Sequence, residues 1–277
     1  MSFSRTICVT GASGFIGTAL SAALVARGHR VLACSRRPFA APGGVQAVIV
    51  TQYHDAPLAD VLVHLAEPAA LPGDAAGPEA TATLTALAGR GYRRLVYLSS
   101  AAVYGDMESY PRRPDEPARA ENGYGRMKRA GEAVALAAGG VAVRLTNVYG
   151  PGMNQGTVMT DILAQRAVPG PIRVRDLAPV RDYLWLDDAV SGLVAIAEGS
   201  ATGVFNLASG EAASVERLAL TCLRLWGRQG DGAVAMAPAG RASVLRLDIG
   251  ETLQHFDWQP HTALDEGLAR LAGGGSA

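Results

Sequence analysis

The strongest constraint on the fold is a glycine-rich turn close to the start of the chain. A short apolar run, residues 7–10, leads into Gly11, Gly14 and Gly17, and a helical stretch follows up to a stop at Gly28. A buried strand that enters a helix through three glycines is typical of the first βαβ unit of a doubly wound sheet, where the backbone must approach a pyrophosphate closely. The helix N-terminus adds N–H groups that attract an anion. The pattern predicts a dinucleotide-binding domain.

Apolar strands alternate with helical stretches through the first half of the chain. The predicted strands are residues 7–10, 31–34, 47–50, 61–65, 95–98 and 141–144, and the predicted helices are residues 18–27, 80–90 and 124–138. Such alternation, with right-handed crossovers, gives a parallel sheet covered by helices on both faces. We therefore expect an α/β fold, a doubly wound parallel sheet of the Rossmann type with a smaller C-terminal substrate lobe.

The pattern changes after about residue 147, where Pro-Gly pairs interrupt an irregular stretch. Further strands at 183–186 and 204–207 flank a predicted helix, and Ser214 is a suitable N-cap for another. The expected units are a dinucleotide-binding domain at 1–146, to which 182–207 returns, a substrate lobe at 147–181 and 208–270, and a disordered tail at 271–277.

Composition excludes several functional classes. The 277 residues include 25 basic and 25 acidic side chains, so no net charge favours nucleic acid. No apolar run reaches the roughly 18 residues of a membrane span, so no membrane partner is expected, and the first residues lack the pattern of a secretory signal. Three scattered cysteines indicate reduced thiols, as in a cytoplasmic protein. The histidines show no metal-ligand spacing, so no metal is expected.

The end of the second predicted strand bears on the choice of cofactor. In dinucleotide-binding folds an acid at this point binds the ribose 2′-hydroxyl of NAD, whereas an arginine accepts the 2′-phosphate of NADP. Here the strand ends in Cys34-Ser35-Arg36-Arg37, without an acid. Two guanidinium groups can pair bidentately with a phosphate. We therefore expect NADP, bound by Arg36 and Arg37, with NAD as the alternative.

The candidate catalytic residues include a tyrosine and a lysine four positions apart, Tyr124 and Lys128. Lys128 is the only lysine among the 25 basic residues, and it lies four residues after Tyr124 on a predicted helix, hence on the same helix face. A free phenol, with a pKa of about 10, is a poor acid at neutral pH, and a neighbouring ammonium favours its ionised form. Ser100, at the end of a predicted strand, can hydrogen-bond the same substrate oxygen. These groups form a proton-transfer unit for alcohol–ketone chemistry beside a nicotinamide.

With these motifs in place, the chain resembles a known family, the extended short-chain dehydrogenases/reductases, and in particular their nucleotide-sugar epimerase/dehydratase group. The matching segments extend over nearly the whole chain, at residues 10–17, 64–66, 99–105, 124–128, 144–152, 181–188, 205–211 and 258–260. Their number and their order make the resemblance specific.

The resemblance implies a role for each matching residue. Tyr124 is the implied acid/base, Lys128 its activator and the anchor of the cofactor ribose, and Ser100 the partner of the substrate oxygen. The expected cofactor-binding residues are Gly11, Ser13, Gly14, Phe15, Ile16, Gly17, Arg36, Arg37, Leu65, Ala66, Tyr124 and Lys128. The expected substrate-binding residues, which meet a nucleotide-sugar diphosphate, are Ser100, Asn147, Arg181 and Arg241, with Arg246 as an alternative to Arg241.

The chain departs from the family pattern at three places, and the first of them limits which reaction is expected. Members that remove water from the sugar usually carry an Asp-Glu pair after the strand-end hydroxyl, and Ala101 and Ala102 stand there instead, so 4,6-dehydration is not expected. The family's asparagine before the fifth strand has no clear match. The usual Gly-Asp after the third strand is replaced by residues 50–52, Val-Thr-Gln, which changes the expected contacts of the adenine.

Three functions remain open on the sequence. The first is an NADP-dependent reductase of a 4-keto nucleotide-linked sugar, with Tyr124 as proton donor. The second is a nucleotide-sugar 4-epimerase with retained NAD, which uses the same residues. The third, from a different class, is a non-catalytic dinucleotide-binding regulator, and the intact Ser100, Tyr124 and Lys128 argue against it. The resemblance further implies a homodimer formed through two helices of each subunit, one of them the Tyr124 helix.

Overall fold

The structure is a computed structural model that describes residues 4–66, 76–238 and 240–273. Its strands are β1 Thr6–Thr10, β2 Arg30–Ser35, β3 Gln46–Ile49, β4 Val61–His64, β5 Arg94–Ser100, β6 Val141–Leu145, β7 Asn147–Tyr149, β8 Ile172–Val174, β9 Val180–Trp185, β10 Gly203–Leu207, β11 Ala212–Ser214, β12 Ala233–Ala235 and β13 Val244–Leu245. Its helices are α1 Phe15–Ala26, α2 Ala76–Ala88, α3 Gly123–Ala137, α4 Val158–Leu163, α5 Leu186–Glu198, α6 Val215–Leu225, α7 Gly250–His255 and α8 Leu264–Gly273, and 3-10 turns lie at Tyr53–Asp55 and Ala101–Tyr104.

The largest element is a seven-stranded parallel sheet with the strand order β10-β6-β5-β4-β1-β2-β3. Thr10, at the end of β1, lies between Cys34 of β2 and His64 of β4. The order of the strands reverses between β1 and β4, so the loops that leave these two strands diverge and open a crevice at the carboxyl edge. This topology confirms the expected doubly wound α/β fold and locates the crevice above β1.

Helices bury both faces of this sheet. Successive side chains of a strand point to opposite faces, so Ile7 and Val9 of β1 belong to one apolar core and Cys8 belongs to the other. Helices α1 and α5 cover the first face, and α2 and α3 cover the second. Burial on both faces explains why the strands are continuous apolar runs in the sequence.

A smaller lobe has its own sheet and its own core. In its sheet β9 is the central strand and pairs with β7, β11 and β13, while β8 and β12 form a separate two-stranded pair. Its core is built from α4, α6 and α8 packed on this sheet, with Ile162, Leu218 and Leu268 fully buried. Ser214 caps α6, because its hydroxyl accepts from the N–H of Arg217.

The chain returns to the large sheet after the first part of the lobe. Helix α5 packs on α1, and β10 extends the large sheet beside β6, whereas β9 lies in the lobe's sheet. Helix α8 runs to Gly273, so residues 271–273 of the predicted tail are helical, because Leu271 packs against the lobe's core. Residues 274–277 of that tail lie outside the described residues. The limits predicted for the two units stay a prediction.

The structure also bears on the state of the cysteines, on metal-ligand clusters and on membrane-spanning helices. Cys8, Cys34 and Cys222 are buried and free. Within the described ranges, no three His, Cys, Asp or Glu side chains cluster as metal ligands do. None of the helices in the described part of the chain is long and apolar enough to cross a membrane.

Candidate active site

The glycine-rich turn joins β1 to α1 directly at the crevice. Gly11 has a φ of +73°, a left-handed conformation that favours glycine, and a Cβ at this position would lie 2.9 Å from the backbone nitrogen of Ala66. A Cβ on Gly17 would overlap the carbonyl oxygen of Gly11. The turn therefore lies against the loop that follows β4, so Leu65 and Ala66, both expected to bind cofactor, are its immediate neighbours.

Helix α1 begins without a side-chain cap. Its N-cap is Gly14, and no acidic residue lies in its first turn, so no side chain of this segment neutralises the positive end of the helix dipole. The first-turn residues are Phe15, Ile16 and Gly17. The turn and the helix N-terminus form a cradle that suits the pyrophosphate of a dinucleotide, because the N–H groups of the first turn are uncapped by a side chain. Glycine at positions 11 and 17 lets the turn pack closely, since a side chain there would collide with the backbone of Ala66 or of Gly11.

Hydroxyl and guanidinium groups surround the carboxyl end of β2. The Ser35 hydroxyl donates to the Ser13 hydroxyl at 3.0 Å and accepts from the N–H of Arg37 at 3.2 Å. The exposed Arg36 guanidinium lies 5.3 Å from the centre of the Tyr53 ring, a cation–π distance. The structure thus links Ser13 of the glycine turn through Ser35 to the backbone of Arg37. Tyr53 belongs to none of the motifs in the sequence, although it is the first aromatic residue after β3.

The two serines at the end of β5 have different environments. Ser99 is buried, and its hydroxyl donates to the carboxylate of Glu132 at 2.5 Å. Ser100 is half-buried, and its hydroxyl accepts from the N–H of Ala102 at 3.2 Å. Ser99 therefore ties the strand to α3, while Ser100 stays at the carboxyl edge, where none of the described residues accepts a hydrogen bond from its hydroxyl.

Helix α3 sets Tyr124 and Lys128 against the end of β5. The Lys128 ammonium is buried and donates to the carbonyl oxygen of Leu98 at 2.7 Å, two residues before Ser100. It lies 5.7 Å from the centre of the half-buried Tyr124 ring. The structure therefore brings together Tyr124, Lys128 and the strand end that carries Ser100, as the helical spacing predicted.

The buried rings of Tyr97 and His64 lie next to the Lys128 ammonium. The Lys128 ammonium is 5.2 Å from the centre of the Tyr97 ring, and the His64 ring stacks on Tyr97 at 6.2 Å. His64 Nδ1 is hydrogen-bonded to the Thr10 hydroxyl at 2.7 Å. Burial, and second the charge of Lys128, lower the pKa of His64 to about 3. His64 is therefore neutral at physiological pH and links the end of β1 to the Tyr124 helix through Tyr97.

The structure also brings together Arg181 and Arg241, which the sequence places far apart. Both guanidinium groups bind the carboxylate of Asp106, Arg181 at 3.2 Å and Arg241 at 2.6 Å. The hydroxyl of Ser243 donates to the same carboxylate. Asp106 and Ser243 belong to none of the motifs in the sequence. The family-like segment at the end of β5, residues 99–105, ends one residue short of Asp106.

The remaining substrate-side candidates lie apart from this cluster. Asn147 is exposed on β7, and its amide donates to the carbonyl oxygen of Asp182 at 3.2 Å. Arg246 is exposed, and its backbone carbonyl accepts from the N–H of Arg112 at 2.8 Å. Neither side chain binds Asp106 in the described part of the chain.

The fold, and the cradle at its switch point, place the protein among the dinucleotide-dependent α/β enzymes. The sequence profile of the NAD dependent epimerase/dehydratase family matches residues 7–208. The chain belongs to this family, which confirms the resemblance to the extended short-chain dehydrogenases/reductases.

Individual relatives are similar over most of the chain. A UDP-glucuronic acid decarboxylase of Xenopus tropicalis is 27% identical over 95% of this chain and 70% of its own length. A dTDP-6-deoxy-L-talose 4-dehydrogenase (NAD(P)(+)) of Kitasatospora kifunensis is 29% identical over 96% of this chain and 94% of its own length. The solved structure of MoeE5 in complex with UDP-glucuronic acid and NAD has a TM-score of 0.81 and 26% identity, covering 95% of this chain and 96% of that one.

Proposed function

We propose that the protein reduces a 4-keto group of a nucleotide-linked sugar, with Tyr124 as the proton donor. The proposal is carried by the placement of Tyr124 and Lys128 against the end of β5. The rings of Tyr97 and His64 connect this pair to Thr10, which directly precedes the glycine turn. A bound nicotinamide supplies the hydride in such a reaction. The similarity to the Kitasatospora enzyme, a 4-dehydrogenase of a dTDP-linked sugar, supports chemistry at C4.

Each of the three side chains has a separate task in this proposal. The Tyr124 hydroxyl gives its proton to the sugar oxygen as the carbonyl becomes an alcohol. The Lys128 ammonium favours this transfer, because a positive charge beside the phenol stabilises the negative charge left on its oxygen. The Ser100 hydroxyl donates to the same sugar oxygen and so orients the carbonyl. In the direction of oxidation the same groups remove the proton.

We propose NADP as the cofactor. The hydroxyls of Ser13 and Ser35 and the guanidinium groups of Arg36 and Arg37 suit a 2′-phosphate, and no acid stands at the end of β2. In this assignment the glycine cradle, with Leu65 and Ala66, holds the rest of the dinucleotide. The NAD complex of MoeE5 supports NAD as the alternative.

A nucleotide-sugar 4-epimerase is the second candidate. The description of the family includes epimerases, and epimerisation at C4 needs the same Tyr124, Lys128 and Ser100. An epimerase returns its cofactor to the starting state, so it holds the cofactor through purification. Ala101 and Ala102, in place of an acidic pair, disfavour dehydration in both proposals. The reduced cysteines favour the cytoplasm as the location of either enzyme.

We further propose that the protein is a homodimer through α2 and α3. A groove of about 830 Å³ lies between these helices. Most of its lining side chains are small, among them Thr81, Ala82 and Ala86 of α2 and Ala130 of α3, and Arg126 and Met127 of α3 complete the lining. Small side chains on α2 and α3 let this helix pair pack closely against the same pair of a second subunit. Such self-association is the usual arrangement of a symmetric dimer.

The function is tested with the full chain and Tyr124→Phe. The dinucleotide released on denaturation is identified by mass spectrometry, and turnover is measured with NADP⁺ and dTDP-6-deoxyhexoses, in the direction of oxidation. Loss of the Tyr124 hydroxyl, which removes the substrate proton in this direction, is expected to lower kcat roughly 100-fold or more, with cofactor affinity unchanged. Tyr92→Phe is the matched control, because that hydroxyl contacts only the carbonyls of Ala56 and Pro57 in the described part of the chain.

The reductase and the epimerase predict different results in this experiment. Stoichiometric consumption of NADP⁺ supports the dehydrogenase/reductase, whereas interconversion of UDP-glucose and UDP-galactose with no added cofactor supports the epimerase. Unchanged activity in Tyr124→Phe would overturn the role of Tyr124 in both candidates. A wild type that binds a dinucleotide but turns over neither kind of substrate would leave the non-catalytic regulator.

A further inference from the structure

A carboxylate on the Tyr124 helix is buried next to the end of β5. Glu132 lies on α3, four residues after Lys128 and eight after Tyr124, so the three side chains follow one side of the helix. Only 6% of the Glu132 side chain is exposed, and the same fraction is exposed for Arg144 of β6. Burying two charges costs free energy unless the charges bind each other and are hydrogen-bonded. The pair therefore depends on the hydrogen bonds that surround it.

Both carboxylate oxygens of Glu132 bind residues of the large sheet. Oε1 accepts from the Ser99 hydroxyl at 2.5 Å and from Arg144 Nε at 3.0 Å. Oε2 accepts from Arg144 Nη2 at 2.9 Å, which completes a bidentate pair of guanidinium and carboxylate. Ser99 and Arg144 are register partners on the neighbouring strands β5 and β6. These three residues, the Glu132 cluster, therefore hold α3 against two strands at one level of the sheet.

The Glu132 cluster contacts the chain on both sides of Ser100. Ser99, a member of the cluster, directly precedes Ser100. Tyr104 follows four residues later, at the end of the 3-10 turn, and the guanidinium carbon of Arg144 lies 4.5 Å from the centre of its ring, a cation–π distance. The cluster therefore fixes the strand residue before Ser100 and the turn that comes after it.

The Glu132 cluster fixes direction more than it adds stability. A buried ion pair is often no more stabilising than an apolar pair that fills a similar volume. Hydrogen bonds, however, restrict both the distance and the angle between two groups, whereas apolar contacts have no preferred direction. Proton transfer needs this restriction, because a displacement of about 1 Å can lower a rate roughly 100-fold. The cluster joins the helix of Tyr124 to the strand end of Ser100, so it restricts the distance between their hydroxyls.

We propose that Glu132 is a positioning residue for proton transfer at the candidate active site. By binding Ser99 and Arg144, it sets the position of the Tyr124 hydroxyl relative to the Ser100 hydroxyl, so that both meet the same sugar oxygen. The inference rests on the proposed function, since it takes Tyr124 as the proton donor. Glu132 acts through Tyr124 and Ser100 and exchanges no proton with the substrate.

The test replaces the ion pair by an apolar pair, in the full chain with Glu132→Leu and Arg144→Met. This double variant is expected to melt at or above the wild-type temperature, because the apolar pair fills most of the same volume. Turnover is measured with the substrate that the wild type accepts, a dTDP-6-deoxyhexose or UDP-glucose. The double variant is expected to lower kcat roughly 10- to 100-fold, with KM and the affinity for the dinucleotide within about twofold. A merely structural role predicts wild-type kcat in this stable variant.

The matched control is the double variant Arg27→Met with Glu198→Leu. Arg27 and Glu198 form a bidentate pair of the same kind between the C-terminal ends of α1 and α5, with distances of 3.0 and 2.8 Å. This pair lies at the end of α1 that is farther from the glycine turn. Replacement of this pair is expected to leave kcat at the wild-type value.

Ser99→Ala removes only the link between the ion pair and β5. It is expected to lower kcat roughly 3- to 10-fold with KM unchanged, whereas a structural role predicts lower stability and wild-type kcat. This single variant decides the question if the apolar double variant does not unfold cooperatively, and wild-type kcat in it would then overturn the proposal.

A double-mutant cycle with Tyr124→Phe separates positioning from general damage. Without the Tyr124 hydroxyl no proton donor is left to position, so the apolar pair is expected to lower the residual kcat by no more than about twofold. Wild-type kcat in the folded apolar variant, or an equal loss with and without the Tyr124 hydroxyl, would overturn the proposal and leave the proposed function standing. If the wild type turns over neither kind of substrate, the proposed function fails, and the role of Glu132 fails with it.

Discussion

At the scale of single residues, the buried charge of Lys128 organises its surroundings. A buried ammonium is costly unless it is hydrogen-bonded. Here it donates to Leu98 and faces the rings of Tyr97 and Tyr124 at distances at which cation–π attraction acts. The same charge, together with burial, disfavours a second cation nearby, and His64 is therefore held neutral.

Acid is expected to destabilise the protein through His64. Its pKa is about 3 in the folded protein and 6.5 in the unfolded chain, so between these values the unfolded chain binds more protons. The stability that neutral His64 contributes is complete above pH 6.5 and is lost as the pH falls toward 3. Between neutral pH and roughly pH 5 the loss in the free energy of unfolding is about 2 kcal/mol.

Urea unfolding at these two pH values measures the loss. His64→Asn, which keeps a hydrogen-bonding partner for Thr10, is expected to lose about 2 kcal/mol less than the wild type over the same pH range. Other groups also titrate between these two pH values. The quantity compared is therefore the difference between the wild type and His64→Asn in the free energy of unfolding lost over this range. An identical pH dependence in both would contradict the assignment.

At the scale of elements, the contact between α3 and β5 determines the geometry of the candidate site. Gly131 lies one turn after Lys128, and its Cα faces the Tyr97 ring so closely that a Cβ would lie 2.8 Å from Tyr97 Cε1 and would overlap the hydroxyl. The absence of a side chain at Gly131 therefore lets the helix approach the strand. The His64 ring stacks on Tyr97.

Gly131→Ala is expected to push α3 away from β5. Overpacking of this kind costs about 1–3 kcal/mol of stability, and the shift of Lys128 is expected to lower kcat as well. Gly89→Ala, whose Cβ would have no neighbour nearer than 3.7 Å, serves as the control and is expected to keep wild-type stability and activity. Chemical denaturation and steady-state kinetics give both quantities. Full activity in Gly131→Ala would show that the close approach of helix and strand is dispensable.

At the scale of the whole molecule, the two faces of the large sheet have different surroundings. The face of α1 and α5 also packs against Phe256 and Trp258 from the C-terminal part of the chain. The face of α2 and α3 carries the open groove between those helices. A homodimer through this groove would place the two candidate active sites on either side of a shared helical core.

Ala82→Arg tests this arrangement. Ala82 is exposed on α2 and lines the groove, so an arginine there is expected to prevent the association of two copies while leaving the subunit folded. Ala26→Arg, at the exposed end of α1, is the matched control. Sedimentation velocity is expected to show a dimer for the wild type and Ala26→Arg and a monomer for Ala82→Arg. A monomeric wild type would refute the homodimer.

Several features of this protein follow from the sequence alone, because they depend on contacts between residues close in the chain. The three-glycine turn, the strand–helix alternation and the spacing of Tyr124 and Lys128 are local patterns. They were enough to predict the doubly wound fold and the family, both of which are confirmed. The same patterns place Ser100 at a strand end and Arg36 and Arg37 directly after the second strand, while the binding and catalytic roles of these residues stay predictions.

Other features depend on tertiary structure, because they join segments whose separation in the chain carries no periodic signal. Arg181 and Arg241 meet only because β13 pairs with β9 and because the loop after β5 brings Asp106 between them. The stacking of Arg36 on Tyr53 and the place of β9 in the lobe's sheet likewise depend on loop paths. Hydrophobic periodicity determines which face of an element is buried, whereas the packing of loops and sheets determines which charged side chains meet.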